Sequence, residues 1–223
     1  MTEDATGSTV GERLARVRSD IEGLGVDPGT VDIVAVTKRL PVTTALDALE
    51  AGLRDVGENY AQELVAKATA PELTDRPEVR WHAIGHLQRN KVRVLAPHVT
   101  LWQTLDRAAL ATEIAKRAPG AQVLVQVNVS GEAQKSGCRP DEVSELVDAA
   151  GSVGLQVEGL MTVATLGGGP SAAREFARLR TLVDDHGLTT CSMGMSGDYL
   201  EAVAEGATML RLGTVLFGPR PGG

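Results

Sequence analysis

The stretch VDIVAVTKRLPVTTALDALEAG, residues 31–52, carries the clearest signal of the fold. Its first part, residues 31–38, is apolar on both faces as far as Lys38, which is typical of a strand in a parallel sheet covered on both sides. Pro41 then stands near the start of an amphipathic segment and Gly52 at its end, as at the two ends of a helix. The stretch therefore predicts a strand followed by a helix, the repeating unit of α/β proteins.

Short apolar segments alternate with amphipathic segments along the rest of the chain. The apolar segments predict seven further strands, at 54–59, 81–85, 99–105, 122–130, 155–163, 189–196 and 208–218. The amphipathic segments predict helices at 60–70, 88–97, 106–118, 140–151, 170–187 and 198–206, with an extra N-terminal helix at 9–24. This order predicts an α/β fold, a (β/α)8 TIM barrel forming a single domain over 1–223, and an open doubly wound sheet is the alternative.

Two of the predicted helices begin with residues suited to capping. Asp106 is placed to accept a hydrogen bond from the first turn of its helix. Asp198 and Glu201 have the spacing of a capping box.

The composition is that of an ordinary globular protein. The 223 residues include 43% hydrophobic and 23% charged residues, and the net charge is −7. An acidic chain argues against a broad contact with the phosphate backbone of nucleic acid, although one small cationic pocket for a phosphorylated metabolite is compatible with it.

Nothing in the sequence predicts export or a membrane anchor. The first residues, MTEDATGSTV, lack the basic and apolar regions of a signal peptide, and no apolar stretch approaches the roughly 20 residues of a membrane span. Cys138 and Cys191 have no disulfide or metal-site spacing, and His82, His98 and His186 lack the spacing of metal ligands. We therefore expect a cytoplasmic protein without a metal.

Lys38 lies where the first strand ends, which is the functional end of a barrel of this kind. Alternation places it on the same face as Val34 and Val36, where loss of hydration favours a neutral, nucleophilic amine able to form a Schiff base with an aldehyde. A strand-end lysine that extends to water is the alternative. The other lysines fall on predicted helices or in a polar loop and are expected to be solvated: Lys67, Lys91, Lys116 and Lys135.

Two turns near the ends of strands seven and eight, Ser196-Gly197 and Gly213-Thr214, are suited to a phosphate group. Loops at these positions frequently bind phosphate in (β/α)8 barrels, because glycine allows close backbone approach and hydroxyls donate hydrogen bonds. An ordinary capped helix start explains the first turn equally well. Arg211 lies inside the last strand, where a cation needs a partner. We expect it either to form a salt bridge with Glu58 or another carboxylate, or to donate a hydrogen bond to the nitrogen of a bound pyridine ring.

Seven segments in a fixed order resemble the single-domain pyridoxal-phosphate-binding, or vitamin B6 homeostasis, family, which is similar to the N-terminal barrel of alanine racemase. They are AVTK (35–38), VGENYAQE (56–63), HAIGHLQRNK (82–91), QVNVSGEAQKSG (126–137), GLMTVA (159–164), SMGMSGD (192–198) and RLGTVLFG (211–218). The loop LGGGP (166–170) is shorter than usual for its place, so its contacts are left open.

The resemblance implies a role for each matching residue. It implies that pyridoxal 5′-phosphate (PLP) is bound as a Schiff base on Lys38, that Arg211 faces the pyridine nitrogen, that Asn59 lies near the ring, and that Met161 lines the pocket. The phosphate-binding positions implied are Ser196, Gly197, Gly213 and Thr214.

The resemblance also implies a role in intracellular PLP homeostasis, by buffering or by delivery to PLP-dependent apoenzymes, without robust catalysis. Arg211 can only donate, so the ring nitrogen stays unprotonated, and alanine racemase takes a second base from a tyrosine of a further domain. Here the chain ends at Gly223 and its tyrosines, Tyr60 and Tyr199, lie in predicted helices. We expect a monomer with no catalytic residues. The alternatives are a weak amino-acid racemase or related PLP-dependent enzyme, and a Schiff-base aldolase without PLP.

Overall fold

The computed structural model describes residues 8–165 and 168–219. Eight parallel strands close into a barrel in chain order, with β8 paired to β1. The strands are β1 Asp32–Val36, β2 Asp55–Glu58, β3 Arg80–Ala83, β4 Val99–Leu105, β5 Gln122–Gln126, β6 Gln156–Met161, β7 Thr190–Ser192 and β8 Met209–Leu212. The prediction of a (β/α)8 barrel is confirmed, and the open sheet is excluded because the first and last strands are hydrogen-bonded to each other.

Helices surround the barrel. They are α1 Val10–Gly23, α2 Thr43–Glu50, α3 Ala61–Ala68, α4 Pro71–Thr74, α5 Arg89–Leu95, α6 Ala108–Arg117, α7 Val143–Ser152, α8 Gly169–Asp185, α9 Tyr199–Ala204 and α10 Thr214–Phe217, with 3₁₀ turns at Pro28–Thr30 and Pro140–Glu142. Within the two described ranges, no helix is long and apolar enough to cross a membrane.

The extra helix α1 begins at a capping box. The Thr9 hydroxyl accepts a hydrogen bond from the Glu12 N–H (3.2 Å), and the Glu12 carboxylate accepts one from the Thr9 N–H (2.8 Å). Its apolar face, Leu14, Val17 and Ile21, is buried, and the helix packs against α2, α9 and α10. The α1 helix thereby joins the first and last elements of the barrel wall.

Two apolar layers fill the molecule. The larger lies between the strands and the helices, and the smaller fills the inside of the barrel with Val34, Leu101, Leu124, Met161 and Met209. The inside also holds polar side chains, namely Asp55, His82, Gln103, Ser192 and Arg211. We call the end where the strands begin the N-terminal mouth and the end where they finish the C-terminal mouth.

The predicted last strand, 208–218, is wrong in its second half. The strand ends at Leu212, whose partner Ala35 is near the end of β1, and the chain turns at Gly213 into the short helix α10. The predicted strand 189–196 is also too long, because Gly194 has φ 87° and a Cβ there would meet Ala202 Cβ at 2.6 Å. Both corrections concern the C-terminal mouth, where the chain leaves the sheet to form loops.

The two capping predictions are also wrong. Helix α6 has Arg107 at its N-cap, and Asp106 instead forms an ion pair with the Arg107 side chain. Asp198 is the N-cap of α9 but makes no side-chain capping bond; its carboxylate accepts from the Met195 N–H at 2.6 Å. Glu201 accepts from the Gly169 N–H (3.2 Å), so this carboxylate holds the start of α8 rather than that of α9.

Candidate functional site

A cavity of about 290 Å³ opens at the C-terminal mouth. Its walls come from the ends of β1, β2, β3, β6, β7 and β8. The lining residues are Val36, Lys38, Asn59, Ile84, Val163, Met195, Ser196, Gly197, Arg211 and Gly213. The charged residues among them are Lys38 and Arg211, and no described lining residue is acidic, so a cationic pocket exists in a chain of net charge −7.

Most of the predicted site residues meet at this cavity. It is lined by Lys38, Asn59, Ser196, Gly197, Arg211 and Gly213. Thr214 does not line it but begins α10 directly after Gly213. Met161 is fully buried inside the barrel with the apolar residues beneath the cavity and does not line it. Leu166 and Gly167, in the loop whose contacts were left open, lie outside the described residues.

Lys38 is half-buried and follows the end of β1 by two residues. The chain on either side of it is held in place. The Thr37 N–H donates to the Gly57 carbonyl (3.1 Å), and Arg39 has the left-handed φ of 59°, with its N–H donating to the Glu63 carboxylate (2.8 Å). A fixed backbone turn therefore presents the lysine at the mouth.

Arg211 is 4% exposed and points from β8 into the barrel mouth. Its guanidinium donates to the Ser192 hydroxyl (2.7 Å) and to the Thr162 carbonyl oxygen (2.6 Å), both uncharged acceptors. Burial lowers the pKa of Arg211 to about 10, which still leaves it cationic at neutral pH. A guanidinium has five N–H donors, so Arg211 retains donor capacity on the side that lines the cavity.

The predicted salt bridge from Arg211 to Glu58 is not formed. Glu58 is paired with Lys67 instead, at 2.5 Å, between β2 and α3. The Thr37 hydroxyl also donates to the Glu58 carboxylate (2.5 Å), and Lys67 donates to the Thr37 carbonyl (2.7 Å). Burial raises the pKa of Glu58 despite these partners.

The expectation that Lys67 is solvated is therefore wrong, since the residue is 6% exposed. A signal for this was present in the sequence. Lys67 lies three positions after the buried Leu64, so helical periodicity places both on the inner face of α3. Lys67 holds the end of β1 next to Lys38 but does not reach the cavity lining.

Ser196 joins the two predicted phosphate turns. Its hydroxyl oxygen accepts from the N–H groups of Gly213 and Val215, each at 3.2 Å. A serine hydroxyl has two acceptor lone pairs and one proton, so both lone pairs are used and the proton is the group that can donate into the cavity. Such a group suits an anion and not a cation.

Gly197 keeps the wall beside Ser196 open. A Cβ built at this position meets no heavy atom within 4 Å, so the absent side chain leaves space rather than avoiding a clash. Helix α9 follows only at Tyr199 and has six residues, so an anion here would depend on hydroxyl and backbone N–H groups rather than on the dipole of a long helix.

The two tyrosines lie away from the cavity lining. The Tyr199 hydroxyl donates to Asp20 on α1 at 2.6 Å, and burial together with Asp20 raises its pKa. Tyr60 is 42% exposed and receives a hydrogen bond from Arg39 at 2.9 Å.

In the described part of the chain, no group of three or more His, Cys, Asp or Glu residues is arranged to hold a metal ion.

Comparison with known proteins gives consistent matches over nearly the whole chain. The profile of the family described as alanine racemase, N-terminal domain, matches residues 21–221. A protein of Pseudomonas aeruginosa named pyridoxal phosphate homeostasis protein is 42% identical over 229 residues, covering 96% of each chain.

Solved structures of PipY from Synechococcus elongatus have the same fold. The structure without PLP has a TM-score of 0.83 at 37% identity, and the one with PLP bound has a TM-score of 0.82 at 34% identity. Each match covers 94% of this chain and 100% of the PipY chain.

Proposed function

The chain belongs to the alanine racemase N-terminal domain family, and on that premise we propose that it binds PLP as a Schiff base on Lys38 and acts in intracellular PLP homeostasis. The observation that carries the proposal is the meeting of three features at one cavity. A lysine, a buried arginine and a hydroxyl-bearing turn, at Lys38, Arg211 and Ser196, surround about 290 Å³.

The residues at the cavity fit the parts of the cofactor. The volume is close to the lower end of small-molecule sites, roughly 300 Å³. The cationic lining suits a phosphorylated aldehyde, and the Ser196 proton and the open wall at Gly197 suit its phosphate. Asn59 also lines the cavity, so its side chain is available to the ring.

We assign the contacts as follows. The Lys38 amine would condense with the aldehyde, replacing its C=O bond by C=N with loss of water, Arg211 would donate to the pyridine nitrogen, and Asn59 would lie beside the ring. The phosphate contacts are assigned to Ser196, Gly197 and Gly213, which line the cavity, and to Thr214, which is exposed directly after Gly213. Met161 is left out of the set because it is buried away from the cavity lining.

We further propose that the protein buffers or delivers PLP without robust turnover. Bound PLP supplies an electron sink for amino-acid chemistry. Arg211 stays cationic and can only donate, so it leaves the ring nitrogen unprotonated and weakens that sink. Neither Tyr60 nor Tyr199 lines the cavity, so the second base that racemisation requires has no candidate among the tyrosines.

Three further features are part of the same proposal. We take residues 1–223 as one functional domain that works as a monomer, and the cytoplasm as its location.

PLP-dependent apoenzymes are the proposed recipients of the cofactor. Transfer from the loaded protein to an apoenzyme, compared with transfer from free PLP at equal concentration, tests delivery; a slower rate than that of free PLP would contradict it.

Titration with PLP tests the binding proposal. We expect the purified protein to gain the visible absorption band of a Schiff base, and Lys38→Ala to lose it, while Lys116→Ala on the exposed face of α6 keeps it. A protein that takes up no PLP would overturn the proposal and return the non-PLP aldolase to consideration. Solvent deuterium exchange at Cα of alanine, well above that of free PLP, would favour the weak racemase instead.

A further inference from the structure

A line of hydrogen bonds crosses the inside of the barrel and ends at Arg211. At the N-terminal mouth, His82 Nε2 lies 2.9 Å from Asp55 Oδ1. His82 Nδ1 lies 2.8 Å from Gln103 Nε2, and the Gln103 Oε1 accepts from the Ser192 hydroxyl at 2.7 Å. Ser192 in turn accepts from the Arg211 guanidinium at 2.7 Å. The line thus connects the two mouths through five side chains.

The chemistry of the groups sets the direction of every bond. Arg211 can only donate, so the Ser192 oxygen accepts from it, and the Ser192 hydroxyl donates to the Gln103 Oε1. The Gln103 amide therefore turns its NH₂ group toward His82, and His82 Nδ1 must accept. The His82 proton then lies on Nε2 and is donated to Asp55. All donors point from the C-terminal mouth to the N-terminal mouth.

The line is buried and saturated. Gln103 and Ser192 are fully buried and His82 is 2% exposed, inside a ring of apolar side chains. The second N–H of Gln103 lies 3.2 Å from the Met209 sulfur, so both ends of this amide are used. Apolar side chains would fill the same space without the cost of desolvating polar groups, and a saturated buried network of this kind fixes the orientation of its members.

We infer that Gln103 and His82 are positioning residues for Arg211, holding its guanidinium toward the bound pyridine nitrogen from inside the barrel. The inference rests on the proposed function, in which Arg211 meets that nitrogen. Gln103 acts through Ser192, because its oxygen keeps the Ser192 hydroxyl turned so that its lone pairs face Arg211. His82 acts one step further away by fixing which end of the Gln103 amide faces Ser192.

Without Gln103, the Ser192 hydroxyl would no longer be fixed in the orientation that accepts a hydrogen bond from Arg211. The Thr162 carbonyl would still accept one guanidinium N–H, so we expect displacement of the side chain and not its expulsion. Hydrogen bonds to the ring nitrogen tune the electronic state of PLP, and so a displaced Arg211 changes the absorption of the bound cofactor. Release of PLP should become about tenfold faster, the effect of one neutral hydrogen bond.

The test compares two substitutions at neighbouring positions of β4. Gln103→Met removes the hydrogen bonds at nearly constant volume. Thr104→Val is the matched control, because Thr104 is equally buried and its hydroxyl has no hydrogen-bond partner among the described residues. Both proteins are loaded with PLP, and the visible absorption band and the rate of PLP release to a scavenging apoenzyme are measured.

We expect Gln103→Met to shift the band and to release PLP about tenfold faster, while Thr104→Val matches the parent in both. His82→Gln, which keeps a donor and an acceptor, should stay closer to the parent than His82→Leu. A parental band and release rate in Gln103→Met would overturn the inference and leave the proposed function intact. Failure of the parent to take up PLP would instead refute the proposed function.

Ser192→Ala provides a second route if Gln103→Met does not fold, since it deletes a single oxygen from the line. The same shift and faster release are expected. A parental result would overturn the inference. Failure of both variants to fold would also overturn it, because the line would then serve the stability of the barrel and not the placement of Arg211.

Discussion

The two mouths of the barrel have opposite chemistry. The C-terminal mouth encloses about 290 Å³, where Lys38 and Arg211 supply positive charge and no described lining residue is acidic. The N-terminal mouth encloses about 170 Å³, and the charged groups that line it include the carboxylates of Asp32, Asp55 and Glu158 and the guanidinium of Arg80. Because carboxylates outnumber the guanidinium at the second mouth, an anionic metabolite is attracted to the first mouth and not to the second.

The mouths also differ in how their polar groups are used. At the N-terminal mouth they satisfy one another: Asp55 accepts from Arg80 and His82, and Glu158 accepts from Gln122 at 3.2 Å. At the C-terminal mouth the Ser196 hydroxyl oxygen accepts two backbone hydrogen bonds, and its proton can donate to a ligand in the cavity. Donor capacity directed into a cavity, more than the presence of polar side chains, distinguishes a binding site from a packed end of a barrel.

The largest effect is expected from Lys67→Met, which breaks the wall of the C-terminal mouth. Removing Lys67 leaves the Glu58 carboxylate buried without its cationic partner. We expect the free energy of unfolding in urea to fall by about 3–5 kcal/mol. Lys116→Met on the exposed face of α6 is the control, and a loss below about 1 kcal/mol at Lys67 would show that this pair does not support the wall.

Gly197→Val should remove the anion-binding property of the C-terminal mouth, because the valine side chain would fill the space beside Ser196 that we assign to the phosphate. Because a Cβ at Gly197 meets nothing in the protein, we expect normal folding but PLP affinity weakened on the order of a hundredfold, as phosphate hydrogen bonds are lost. Gly151→Val on α7, where a Cβ also meets nothing, is the control. Equal affinity for PLP in both variants would place the phosphate elsewhere.

Ser196→Ala makes a smaller change to the C-terminal mouth. It deletes the hydroxyl proton assigned to the phosphate, and we expect PLP affinity to fall about tenfold or somewhat more, as for a hydrogen bond to a charged group. Ser144→Ala, on the exposed side of α7, should leave it unchanged. The comparison is made by equilibrium titration, and unaltered affinity at Ser196 would contradict the assignment.

The smallest effect is expected at the N-terminal mouth, from Asp55→Asn. Burial raises the pKa of Asp55, but hydrogen bonds from His82 and Arg80 outweigh burial and hold the pKa below its usual value. The stabilisation is thus complete above the pKa of the unfolded carboxyl, about 3.9, and is lost as the pH falls through the lower folded value. We expect the variant to be roughly 1 kcal/mol less stable at pH 7, with the gap closing toward pH 3.

Urea unfolding at several pH values measures this gap. The amide oxygen of the variant still accepts from His82, so PLP affinity should change little. A gap that widens toward acid would reverse the sign of the charge effect assigned to Asp55.

Most of the fold could be predicted because its signals are local. The apolar run at 31–38 and its helix, repeated along the chain, specify eight strand–helix units. The ends of the strands were harder to predict. Residues 214–217 are as apolar as a strand, so their composition does not reveal that they form a helix. The last residue of β8 is Leu212 because its pairing with β1 ends there, at Ala35.

The cavity residues could be predicted because they lie at strand ends and in recognisable motifs. The contacts between distant elements could not. Lys67 meets Glu58 only after α3 packs on β2, and His82 meets Gln103 only when β3 and β4 share the barrel interior. Such pairs are formed by tertiary packing, and residue type alone does not identify them.

Chemical mapping identifies the lysine that carries the cofactor in the loaded protein. Reduction with borohydride adds hydride to the C=N bond and fixes the cofactor to its lysine as a stable amine, which peptide mass spectrometry then locates. We expect one label per chain, on Lys38. A label on any other lysine, or no label after incubation with PLP, would contradict it; the other candidates are Lys67, Lys91, Lys116 and Lys135.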